Sequence, residues 1–102
     1  MPKFLASESY APNAYRDQVQ KHLKSHTLEH LRVRRRSDAL IIESGPDSGS
    51  IKHARLRRYG QHLWRLDMAQ RGRWQVTPFR GLLPDLLEML TGDFLWTLIP
   101  RG

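Results

Sequence analysis

The chain contains no cysteine, which excludes disulfides, thiolate zinc sites, iron–sulfur clusters and cysteine nucleophiles together. It has no apolar run approaching the roughly 18 residues of a membrane helix, and Met1-Pro2-Lys3-Phe4-Leu5-Ala6 lacks the apolar stretch of a signal peptide. A cytoplasmic protein that stays out of membranes is therefore expected. Carboxylates are scarce as well: ten aspartates and glutamates stand against seventeen lysines and arginines, for a formal net charge of +7. The ten are scattered, so the paired acids of a glycosidase cannot be picked out. This balance points to nucleic acid, anionic lipid or an acidic protein as partner.

What is present fits one small domain. A chain of 102 residues with 39% hydrophobic content can build one core and has no room for a second. Residues 1–10 carry small polar side chains without periodicity and read as a loose N-terminal arm, with the domain proper spanning 11–102. Asn13 can cap a helix to about Ser25, on which Tyr15, Val19 and Leu23 form a narrow apolar stripe. Alternating patterns follow at Glu29 to Arg35, Ala39 to Glu43, Ile51 to Tyr59, His62 to Met68 and Arg73 to Thr77, the last ended by Pro78. Ser37-Asp38, Gly60-Gln61 and Arg71-Gly72 supply turns between them. Leu83, Leu86, Leu87 and Leu90 then mark a helix, with Pro84 in its first turn and Gly92 at its stop. Phe94 to Ile99, apolar on both faces, reads as a final strand. The expected fold is α+β: a mainly antiparallel sheet of five to six strands with two helices, in the order α-β-β-β-β-β-α-β.

Charge is unevenly placed along that order. From Lys52 to Arg80 there are eight lysines and arginines with Asp67 as the only carboxylate, whereas Leu82 to Pro100 has no lysine or arginine. Arg32 and Arg34 on one strand and Arg55 and Arg57 on another project to one side if both strands bury their leucines. With Arg65 they form a candidate track for phosphates, which guanidinium groups bind in bidentate fashion. Tyr59 and Trp64 are candidate stacking platforms for bases. The same pattern would also serve a solvated face that keeps a small protein soluble. The reading is a non-enzymatic basic module that contacts RNA or DNA backbone and needs no cofactor.

Other constellations point elsewhere. His22, His26 and His30 recur every four residues, but no acidic residue lies between the first two, cysteine is absent and His30 falls beyond the expected helix end, so no metal site is expected. The loop Ser44 to Ser50 lacks the lysine of a phosphate loop and leads into a strand. Its serines have no nucleophile motif around them, and no catalytic residue is assigned. His53, Arg55, His62, Arg65 and Asp67 are residue types that could cleave RNA. The stretch Leu56-Arg57-Arg58-Tyr59-Gly60 through Trp64-Arg65-Leu66 resembles the central hairpin of RelE-type toxins, which implies ribosome-dependent ribonuclease activity as an alternative. The alternative that ranks ahead of the ribonuclease is a protein adaptor or homodimer that uses the leucine-rich C-terminus, with Leu82, Met89, Leu95 and Trp96 at the contact.

Overall fold

The computed structural model describes residues 2–99, with side chains from residue 14 onward. It is an α+β domain of two helices on a five-stranded antiparallel sheet. Helix α1 (Pro2–Ser25) leads into strands β1 (Arg32–Arg36), β2 (Ala39–Ser44), β3 (Ile51–Arg58), β4 (Trp64–Gln70) and β5 (Arg73–Gly81), and α2 (Leu83–Thr91) closes the order. The strands pair in sequence order as a meander. Two-residue connections make this order cheap to form. Ser37 (φ 58°) turns β1 into β2, and Arg71 (φ 51°) with Gly72 (φ 76°) turns β4 into β5 with both central residues left-handed, the pair of conformations that matches strand twist.

Period-two alternation decides which side chains meet the helices. Val33, Leu40, Ile42, Ala54, Leu56 and Leu66 face one way and share a core with Val19 and Leu23 of α1 and with Leu83, Leu86, Leu87 and Leu90 of α2. Gln20 joins α1 to the sheet edge: its amide nitrogen donates to the Leu31 carbonyl, and its Oε1 accepts from the Val33 amide, both at 3.0 Å. Helix α2 ends at Gly92, where a Cβ would lie 2.9 Å from the Glu88 carbonyl.

Three expectations are corrected. Helix α1 begins at Pro2 rather than near Asn13, so the segment read as a loose arm has helical backbone. Small polar side chains without periodicity do not exclude a helix, which needs no apolar stripe; Pro12 removes one hydrogen bond without ending it. Strand β5 does not stop at Thr77 but continues through Pro78 to Gly81. The register with β4 shifts between Arg65 and Asp67, and an edge strand with a bulge can hold a residue that has no N–H. The final strand is absent among the described residues. Phe94 to Ile99 winds through a 3-10 turn at Leu95–Thr97, which points Phe94 and Leu98 inward at i and i+4 and leaves Leu95, Trp96 and Ile99 outside. Its apolar residues on both sides reflect one core face and one open face of a helical turn, a period that six residues cannot distinguish from a strand.

The end of α1 carries the clearest local strain. The Thr27 amide bonds to Lys24 and the Leu28 amide to Leu23, a left-handed helix stop that puts the β-branched Thr27 at φ 57° where glycine is usual. Replacing Thr27 with glycine is expected to stabilise the fold by about 0.5–1 kcal/mol, read as a rise in the urea midpoint at unchanged slope.

Candidate nucleic-acid interface

The face of the sheet turned away from the helices is built by the other half of each alternation. Strand β1 places Arg32, Arg34 and Arg36 there, β2 Ala39, Ile41 and Glu43, β3 Arg55 and Arg57, and β4 Arg65 and Asp67, as the paired positions show. All five arginines expected to carry the site, Arg32, Arg34, Arg55, Arg57 and Arg65, thus share one face. They are not a free track. Asp67 is fully buried beneath Arg55 and Arg65: Arg55 Nε and Nη2 donate to Oδ2 at 2.9 and 2.7 Å, and Arg65 Nε donates to Oδ1 at 2.9 Å. Glu43, also fully buried, has Arg32 Nη2 at 3.3 Å from Oε2 and Arg34 Nε at 3.0 Å from Oε1. Arg57 lies 3.8 Å from Asp38.

The pairing shifts the titration of Glu43 and of Arg65. Burial pushes Glu43 up, but the Ser50 hydroxyl and the charges of Arg34, Arg32 and Lys52 outweigh it and hold the group below its ordinary value. Hydrogen bonding to Asp67 raises Arg65 above its usual range despite burial. The arginine stems in turn cover Ile41 and Ala39, both buried although they point away from the helices, because methylene chains shield apolar surface while the charged ends stay wet.

One line of residues keeps an excess of positive charge. Arg36 is opposite Ala39, Ala39 opposite Arg57, Arg57 opposite Arg65, and Arg65 opposite Arg80. Four arginines therefore lie in a single row that crosses all five strands, neighbouring pairs separated by about 5 Å of backbone. Arg57 has Asp38 and Arg65 has Asp67, while Arg36 and Arg80 have no carboxylate within 4.0 Å among the described residues. Like charges directly opposite each other destabilise a sheet. Tyr59 is half exposed beside the row, with the Arg80 guanidinium 5.6 Å above its ring.

Comparison of the chain with protein families, curated proteins and solved structures found no match.

Arg36 and Arg80 were missed by the sequence reading. With the first strand expected to end at Arg35, Arg36 reads as a break in the alternation that the structure shows it continues; with Pro78 expected to end β5, Arg80 falls outside any strand. Trp64 is corrected in the opposite sense. It is 3% exposed, packs edge-on to Tyr15 at 5.2 Å, and lies on the helix side opposite Arg58, so it is core rather than a stacking platform.

Of the residue types suited to RNA cleavage, Arg55, Arg65 and Asp67 meet, but neither His53 nor His62 is hydrogen-bonded to them. Asp67 is saturated by arginines on the open face, and His62 sits in the β3–β4 turn. His53 is buried at the β2–β3 bulge, where Nδ1 donates to the Thr97 carbonyl at 2.9 Å and Nε2 accepts from the Ser44 hydroxyl at 2.8 Å. It ties the sheet to the C-terminal turn. His30 does the same by donating to the Leu98 carbonyl at 2.9 Å. His22 donates to Thr91 Oγ1, whose own proton goes to the Leu87 carbonyl; burial and the nearby His26 lower its pKa. Among the described residues no three histidines or carboxylates gather in a metal-binding arrangement, and no helix is long and apolar enough to cross a membrane.

Removing the Asp67 charge leaves two guanidiniums crowded without a counterion. The Asp67→Asn variant is expected to lose about 2–4 kcal/mol of stability, measured by urea denaturation. Glu43 sets a pH dependence. Because its folded pKa is depressed, its contribution is complete above the unfolded value of about 4.3 and is lost as pH falls through the lower folded value. The wild-type urea midpoint should therefore fall more steeply than that of Glu43→Gln as pH is taken from about 5 to about 3.

Proposed function

We propose that this protein is a non-enzymatic binding module for nucleic acid backbone, and that the backbone lies across the strands along Arg36, Arg57, Arg65 and Arg80. The row carries the reading. A sheet gains nothing in stability from setting arginine opposite arginine twice in succession, and the charge excess becomes favourable once phosphates lie between the guanidiniums. The five arginines first singled out then divide by role. Arg57 and Arg65 contact the polyanion, while Arg32, Arg34 and Arg55 chiefly neutralise Glu43 and Asp67 and hold the face in register. Tyr59 offers an aromatic surface at the end of the row for an unpaired base.

Fluorescence anisotropy with labelled single-stranded RNA, single-stranded DNA and duplex DNA tests this. Affinity should fall steeply as salt rises, and combined alanine replacement of Arg36, Arg57 and Arg80 should reduce the slope of log K against log salt by about 2 for a single strand. An unchanged slope in a folded triple variant would reject the row as the contact.

A further inference from the structure

The helices leave one end of their side of the sheet uncovered. Between the start of β3, the β4–β5 turn and the C-terminal 3-10 turn lies a groove of about 900 Å³. Its apolar surface comes from Ile51, Met68, Ala69, Trp74, Phe94 and Trp96. Trp96 is 63% exposed and Ile51 56%, and Leu95 and Ile99 beside Trp96 are exposed too. An apolar patch of this kind marks an interaction surface more often than isolated exposed residues do. The Leu98 and Thr97 carbonyls held by His30 and His53 anchor the turn that presents Trp96.

The charge around the groove selects the partner. Lys52, Arg71 and Arg73 line it, and no aspartate or glutamate does among the described residues. A second copy of the chain would bring a formal charge of +7 against a basic rim, so self-association is opposed. A nucleic acid strand would satisfy the cations and could stack on Trp96 or Trp74 but would leave the aliphatic Ile51 and Met68 without apolar partners, whereas large apolar side chains of a peptide cover both kinds of surface. Tryptophan, methionine and arginine are the residues enriched where proteins meet. We propose that this groove docks an acidic segment of a partner protein, with large apolar side chains seated against Trp96, Ile51 and Met68 and carboxylates facing Lys52, Arg71 and Arg73. The site lies apart from the arginine row, and its use does not depend on nucleic acid binding.

The test is selection from a random-peptide display library on the immobilised protein, with counter-selection on Trp96→Ala. Trp96 is exposed enough for the replacement to leave the fold intact, which the urea midpoint verifies. Enriched peptides should carry net negative charge and at least two large apolar residues, and synthetic copies should bind at micromolar dissociation constants. Binding should weaken at least tenfold in Trp96→Ala and again in Arg73→Glu, as expected for a central aromatic anchor with a charged rim. Failure to enrich any peptide that depends on Trp96 would overturn the proposal, as would enrichment of neutral or basic sequences. Competition between the selected peptides and a single-stranded RNA 12-mer, combined with loss of RNA binding in Trp96→Ala, would overturn it in favour of a nucleic acid groove. A concentration-dependent mass of the free chain that Trp96→Ala abolishes would overturn it in favour of a second copy.

Discussion

An arginine-covered sheet holds together here because two carboxylates are buried under it. Asp67 sits between Arg55 on the neighbouring strand and Arg65 two residues away on its own, and Glu43 takes the same place for Arg32 and Arg34. Burying an ion is costly unless its partner and its hydrogen bonds are well placed. Asp67 meets that condition with charge-assisted bonds from both sides. The arrangement also sets register. A slip of one residue between β3 and β4 would turn Asp67 toward Leu56, into the core, and Leu66 out to the open face.

Much of the fold was legible in the sequence because its signals were short-range. The turns at Ser37-Asp38 and Arg71-Gly72, the leucine spacing of α2 and the alternation of β1 to β4 each depend on residues within a few positions of one another, and the meander joins them in sequence order. The failures share a cause. Pro78 was read by its missing donor alone, although an edge strand with a bulge does not need that donor. Phe94 to Ile99 was too short for its period to show, and what decided it was the open side of a sheet that only the assembled chain displays.

The candidate site was legible in composition but not in arrangement. That arginines crowd one face follows from alternation. That Asp67 and Glu43 neutralise much of it does not, since both look like ordinary surface acids until register places them among guanidiniums. The row of Arg36, Arg57, Arg65 and Arg80 draws one residue from each of four strands, so it has no footprint in any single stretch of sequence. The consequence is a division of surfaces: one side of the sheet concentrates charge, while the open end of the other concentrates aromatic and aliphatic side chains with a thin basic margin.

The bulge in β5 affects how molecules meet one another. A nine-residue strand at the border of a sheet presents unpaired amides and carbonyls on which a neighbouring chain could build. Pro78 has no amide proton to offer, and the Phe79 amide is already taken by the Thr77 hydroxyl, which itself donates to the Leu66 carbonyl. Near the middle of the strand one donor is therefore missing and the next is bonded locally. A strand arriving from another molecule could pair with only part of it, and the irregularity that lets Arg80 join the row also acts as a guard against fibre-like stacking.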